Sequence, residues 1–315
     1  MNIIIDMLNV NYNQGNIYKL IKLGKPHFAI FLFFYFSIGA LLAVLFNAQF
    51  VLTKFILGYA IIFFSTWAIH YHNDYFDFKA DHYVTPTPIS GGSGVLIEHP
   101  EWRSLSKKIG IIFIGLSIII AAVLTVVYSY TIWFFVYVIF SNLLAWFYAA
   151  PPVKLSYRGL GEFGNTAIGL LFPGLGYFAL MGTIDISFLI FVIPLVFLQL
   201  LFTCSVEIPD MEGDRLAGKM TWIATKGRNF GFKLIAISGL FATISFLSLS
   251  FMNLFPPVID FRILTLISLI PLSLGIIEVI KMPLDKESAT KYCIYNLAAI
   301  LLTLILINCY LLYVI

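Results

Sequence analysis

Apolar runs of about 20 residues recur along the whole chain, and that repetition limits the fold more than any other feature. At 1.5 Å of helical rise per residue, each run can cross a hydrocarbon core of ~30 Å. Nine such stretches can be drawn, at 27–47, 51–72, 109–130, 131–150, 164–183, 187–206, 230–254, 261–280 and 294–315. Only 11% of the residues are charged and 60% are hydrophobic, against about 25% charged in a soluble domain. The pattern predicts an all-α fold, a polytopic membrane bundle of nine transmembrane helices. The third and fourth stretches are divided only by Tyr128-Ser129-Tyr130-Thr131. Residues 1–26 are polar and lack the basic-then-apolar order of a cleavable signal. They are read as an N-terminal interfacial segment carrying Lys19, Lys22 and Lys25, followed by a single transmembrane domain over 27–315.

Basic residues give that bundle an orientation. With nine spans, one face receives the N-terminal segment and the loops at 73–108, 151–163, 207–229 and 281–293. That face collects 17 of the 19 Lys and Arg, while the other has only Lys54 and Arg262. The asymmetry predicts a cytoplasmic membrane protein with these loops facing the cytoplasm. The net charge of +3 is then a topology signal and gives no reason to expect nucleic-acid binding. No obligate protein partner is inferred; the membrane lipid is the expected surrounding. Cys204, Cys293 and Cys309 sit in or beside apolar spans, where a free thiol behaves as a small hydrophobe, and are assigned neither metal nor disulfide.

Acidic residues are scarce, and seven of the 16 gather at two places on the basic face. The first is His72-Asn73-Asp74-Tyr75-Phe76-Asp77-Phe78-Lys79-Ala80-Asp81, after the second span. The second is Glu207-Ile208-Pro209-Asp210-Met211-Glu212-Gly213-Asp214-Arg215, after the sixth. Residues three, four or seven apart share a helix face. Asp74, Asp77 and Asp81 have that spacing, and Asn73, Asp77 and Asp81 form its i, i+4, i+8 version. Glu207, Asp210 and Asp214 repeat it, each 133 positions after its counterpart. The repetition suggests a tandem four-helix unit, over about 27–150 and 164–280, with a ninth helix added. Two acidic faces would then confront each other across one cavity.

Opposed carboxylates repel and raise one another's pKa unless a cation lies between them. Oxygen-only ligands suit Mg²⁺ completed by water and substrate phosphates, and zinc spacing is absent. A Mg-diphosphate is therefore the expected partner. An ion pathway is the competing reading, since carboxylates in a membrane protein also mark transporters. Transport calls for polar groups deep in several spans and at both faces, whereas here the clusters share one face and mid-span regions are nearly free of charge. His70 and His72 approach the first cluster and are read as packed or interfacial.

Three segments also resemble a known family. Asn73-x-x-x-Asp77-x-x-x-Asp81 looks like the first signature of the UbiA prenyltransferases, and Asp210-x-x-x-Asp214 like the second. Tyr148-Ala149-Ala150-Pro151-Pro152-Val153-Lys154-Leu155, with Arg158-Gly159-Leu160-Gly161-Glu162, is similar to the family's loop after the fourth span. Asn73-Asp74-Tyr75-Phe76-Asp77 followed by Ile89-Ser90-Gly91-Gly92-Ser93-Gly94 most resembles the 1,4-dihydroxy-2-naphthoate polyprenyltransferases of menaquinone synthesis. Pro209-Asp210-Met211-Glu212-Gly213-Asp214 instead resembles the homogentisate and chlorophyll-type members. Where many members carry Arg-Pro after the first motif, this chain has Thr87-Pro88, so that a basic contact is missing or comes from Lys79.

The resemblance implies Mg²⁺-dependent transfer of a polyprenyl group from its diphosphate to an aromatic acceptor in quinone synthesis, with 1,4-dihydroxy-2-naphthoate as first choice. Hydroxybenzoate, homogentisate, chlorophyllide, haem or a glycerol-phosphate lipid are the alternative acceptors. It implies metal binding by Asp77, Asp81, Asp210 and Asp214. Asn73, Lys79, Lys154, Arg158, Arg215 and Lys219 are candidates for the diphosphate. Tyr148, Asp74, Asp77 and Asp210 are candidates for catalysis, with Tyr148 facing the allylic cation. Gly91, Gly92 and Gly94 fit a phosphate cradle, a closing loop or a plain turn equally well. Phe172, Pro173, Gly174 and Gly176 are expected to wall a groove for the polyprenyl tail.

Overall fold

A computed structural model describes residues 14–83 and 91–315. Among the described residues there are nine helices long and apolar enough to cross a membrane and no strands, as the sequence predicts. They run over Phe28–Leu45, Leu52–Phe76, Pro100–Val127, Ile132–Ala149, Gly161–Met181, Ile186–Leu216, Arg228–Leu249, Phe261–Lys281 and Lys286–Val314. The chain is an integral membrane protein. Span ends facing the acidic loops are longer than hydropathy suggests. The second helix continues through Asp74 to Phe76, and the ninth begins at Lys286 instead of 294. Asp285 explains the latter, because its carboxylate accepts from Ser288 N at 2.8 Å and caps the helix in a polar stretch that hydropathy discards.

Helix pairing follows the order of the chain. The second span packs on the third and the sixth on the seventh, while the first lies against the fifth. Glycines make that last contact possible. A Cβ at Gly39 would stand 1.8 Å from Pro173 O, and one at Gly176 would stand 2.0 Å from Phe36 O. Without hydrophobic drive between helices in lipid, such backbone contact is a main source of association. Pro173 and Gly176 therefore serve helix packing, and Gly174 faces Tyr137. Of the four residues expected to wall a groove, Phe172 lines two adjoining cavities of the bundle, and the other three line neither of these.

The N-terminal helix Gln14–Leu23 lies against the acidic end of the bundle. Its Leu23 is fully buried with Tyr71, Leu96 and Trp102, and Leu20 O accepts from Tyr71 OH at 2.7 Å. Thr87-Pro88 and Ile89-Ser90 lie outside the described residues.

Candidate active site

Each acidic cluster sits where a span stops and the chain adds one more turn. After Phe76 the helix loosens at Asp77 and resumes over Phe78–Asp81. Asp77 N still bonds Asn73 O at 2.7 Å, and Asp81 N bonds Asp77 O at 2.9 Å. The i, i+4, i+8 face thus survives the break. In the sixth span, Pro209 lies in a tight turn over Ile208–Asp210, and the helix resumes at Met211–Leu216. Proline lacks the donor a continuing α-helix needs, so the break is written in the sequence.

The two clusters meet. Asp74, Asp77, Asp81, Glu207, Asp210 and Asp214 all line one cavity of ≈ 220 Å³. All but Asp210 are buried. Lys219 crosses the space between the clusters, with Nζ 2.9 Å from Asp77 Oδ2 and 3.4 Å from Asp214 Oδ1. Burial alone would lower the Lys219 ammonium, but those two carboxylates hold its pKa well above the ordinary value. Asp81 is the reverse case. Burial, reinforced by Asp74, pushes its carboxyl up to about 8 against the opposing pull of Lys219.

The glycine loop joins both clusters. Gly91 N donates to Asp210 Oδ2 at 2.9 Å. Ser93 donates to Asp74 Oδ2 from both its backbone N, at 3.2 Å, and its hydroxyl. Gly92 has φ +70°, and a Cβ there would come within 2.8 Å of Asp81 Oδ2, so only glycine fits. The three readings of the loop left open above narrow accordingly. Its Gly91 and Ser93 N–H groups hold carboxylates of both clusters instead of standing free for phosphate.

Of the six diphosphate candidates, Asn73 and Lys219 line the cavity and Lys79, Lys154, Arg158 and Arg215 do not. Lys79 is exposed. Arg158 donates to Pro152 O at 2.9 Å, Arg215 donates to Ala224 O, and Lys154 lies 4.9 Å over the Tyr157 ring. Tyr148 lines the cavity and receives a hydrogen bond from Asn165 Nδ2 at 3.2 Å. It also lines an adjoining apolar recess of ≈ 60 Å³ between the second, fourth and fifth spans. Its ring therefore stands where the charged chamber becomes greasy. His72 is packed as expected, edge-on to Trp146 with centroids 4.2 Å apart.

Two contributors escaped the sequence reading. Tyr157 donates to Asp77 Oδ1 at 2.8 Å, and Lys25 lines the cavity 4.0 Å from Asp74. Tyr157 follows no helical spacing, and its only signal was its place inside the Lys154–Arg158 loop. Lys25 was visible solely as one of several interfacial lysines.

The fit to a metal rests on the donor set. Asn73 Oδ1 is buried with no hydrogen-bond partner among the described residues, and the six carboxylates lining the same cavity supply oxygen ligands. No group of three acidic, His or Cys side chains is gathered in metal-binding geometry among the described residues. An open arrangement suits Mg²⁺, which takes one or two carboxylates and leaves positions for water and phosphate.

The sequence profile of the UbiA prenyltransferase family matches residues 102–302. The chain belongs to that family. As a UbiA protein it is a prenyltransferase, and its all-α membrane bundle is the architecture of its structural neighbours. A UbiA homologue from Archaeoglobus fulgidus bound to GPP and Mg²⁺ superposes with TM-score 0.65 at 17% identity, covering 92% of this chain and 99% of that one. An apo homologue from Aeropyrum pernix K1 gives 0.68 at 16% identity, over 91% and 98%. In sequence, the chain is 22% identical over 221 residues to the 1,4-dihydroxy-2-naphthoate octaprenyltransferase of Bacillus subtilis (strain 168). That match covers 69% of this chain and 68% of that protein.

Proposed function

We propose that this UbiA protein transfers a polyprenyl group from its diphosphate to an aromatic acceptor of quinone synthesis, with 1,4-dihydroxy-2-naphthoate the first candidate. The observation that carries the reading is the meeting of Asp77 and Asp214 on Lys219, in a cavity that opens into an apolar recess. The acceptor is suggested by the Bacillus relative's name and by the residues around Asn73.

Asp77, Asp81, Asp210 and Asp214 would hold Mg²⁺, with Asn73 Oδ1 as a further oxygen. When bound, the metal neutralises the diphosphate and stabilises it as a leaving group. Lys219 keeps the two acidic clusters together and offers its ammonium to a phosphate oxygen. Tyr157 fixes the Asp77 carboxylate through its hydroxyl. The allylic carbon then lies at the mouth of the recess, where the Tyr148 face stabilises positive charge by cation–π attraction, up to ~2 kcal/mol when desolvated. Ile62, Leu171 and Phe172 line the recess and receive the first units of the tail. An electron-rich ring carbon of the acceptor attacks, and the ring proton passes to a carboxylate or to the released diphosphate. We also place the acidic loops on the cytoplasmic side, from the 17 of 19 basic residues that flank them.

The reading is tested with membranes containing the protein, Mg²⁺, a labelled polyprenyl diphosphate and a panel of acceptors. Prenylated dihydroxynaphthoate is the expected product. Product with hydroxybenzoate, homogentisate or a glycerol-phosphate lipid instead would move the acceptor. No product with any of them would overturn prenyl transfer.

A further inference from the structure

His70 precedes Asn73 by three residues and Asp77 by seven, so it stands on the acid-bearing face one turn closer to the membrane interior. It lines the same cavity. Its ring stacks on Phe28, with centroids 5.3 Å apart and planes 25° from parallel. Phe202 meets Phe28 edge-on at 6.0 Å and Phe31 at 5.2 Å. Four rings from the first, second and sixth spans therefore form one wall of the chamber. This wall is separate from the apolar recess, which the second, fourth and fifth spans enclose.

The wall also has unused polarity. Nε2 of His70 is buried and has no hydrogen-bond partner among the described residues, and the same holds for Thr66 Oγ1, one turn below it. Both residues line the cavity, and Lys25 lies at its rim beside Asp74. Buried polar atoms are almost always paired, so an orphan in the wall of a ligand chamber marks a group the ligand supplies. A prenyl tail has no polar atom to give. A planar ring bearing hydroxyls and a carboxylate has the right ones, and its faces match an aromatic wall.

We infer that Phe28, Phe31, Phe202 and His70 form the seat of the acceptor, a flat hydroxylated aromatic acid. Nε2 of His70 accepts a hydrogen bond from an acceptor hydroxyl, and Lys25 faces the acceptor's anionic group. The hydrogen bond orients the ring toward the allylic carbon and enriches its carbons in electron density. The inference rests on the prenyl-transfer reading above and adds to it where the second substrate binds.

The test uses full-length purified protein in lipid nanodiscs with Mg²⁺, labelled polyprenyl diphosphate and 1,4-dihydroxy-2-naphthoate. For His70→Leu the acceptor KM should rise at least tenfold, while KM for the polyprenyl diphosphate stays within about twofold, following the ~1.4 kcal/mol per decade of affinity. His70→Gln, which keeps an acceptor atom, should recover most of the loss, and Phe202→Ala should raise the acceptor KM alone. An unchanged acceptor KM in His70→Leu overturns the inference, as does an equal rise for both substrates. If His70→Leu does not fold, His70→Gln decides, since a loss as large as in Phe202→Ala denies the hydrogen bond its role. A wild type that prenylates no acceptor would instead bring down the prenyl-transfer reading.

Discussion

Asp77 and Asp214 come from opposite halves of the chain, yet both reach the Lys219 ammonium, at 2.9 and 3.4 Å. Two buried carboxylates this close need positive charge between them, and a metal diphosphate supplies more of it than one lysine. Asp77→Asn and Asp214→Asn keep the shape of the side chain and remove its charge. Each should lower prenyl transfer by ~100-fold or more at saturating Mg²⁺, since even outer-sphere partners of a metal are worth 10–100-fold. Product formation by membranes with matched protein levels is the measurement. Wild-type rates in either variant would remove that aspartate from the site.

Tyr157 acts on the same carboxylate from behind. Its hydroxyl donates to Asp77 Oδ1 at 2.8 Å, while Oδ2 faces Lys219. Burial and Asp77 both raise the phenol's pKa, so it remains a donor throughout the neutral range. Tyr157→Phe should raise the Mg²⁺ concentration for half-maximal rate by about 10-fold and leave the rate at excess Mg²⁺ close to wild type. A Mg²⁺ titration of turnover separates this from a general loss of fold, which excess metal would not restore.

Lys219 makes a prediction without substrate. Replacing it with Met leaves Asp77 and Asp214 facing each other with no ammonium between them. Loss of one partner from a buried charge cluster is costly, on the order of 3 kcal/mol. The variant should therefore melt below wild type in metal-free buffer and recover most of the difference in millimolar Mg²⁺. Equal melting temperatures without metal would show that the two clusters need no cation to stay together.

The sequence revealed the site to the extent that helical periodicity carried it. Asp74, Asp77 and Asp81 share a face because the chain is helical there, and Glu207, Asp210 and Asp214 repeat the spacing, so all six were legible before any fold was known. Tyr157 and Lys25 reach the cavity from segments without such a period, and only tertiary packing brings them in. The basic candidates were harder still. Lys79, Arg158 and Arg215 look much like Lys219 in sequence, but the turn over Gly218, with φ +76°, returns the chain so that Lys219 alone of these enters the chamber. Hydropathy found the nine spans and misplaced their acidic ends, because Asn73, Asp74 and Lys286 are helical and polar together.

Gly39 offers a test of the bundle apart from its chemistry. The first and fifth spans touch backbone to backbone there, and an added Cβ would lie 1.8 Å from Pro173 O, with no flexible side chain able to yield. Gly39→Ala must push the two helices apart, at an overpacking cost of ~1–3 kcal/mol or more. Phe172 follows Leu171 into the recess on the same helix as Pro173, so the shift is transmitted to the proposed tail site as well as to stability. The variant should express at a lower level and melt earlier than wild type, whereas Gly115→Ala, which meets nothing within 4 Å, should leave both unchanged. Comparing the two glycines in one melting experiment distinguishes close helix contact from the general effect of adding a methyl group to a membrane helix. Equal behaviour of the two variants would mean that the first and fifth spans do not meet at this distance.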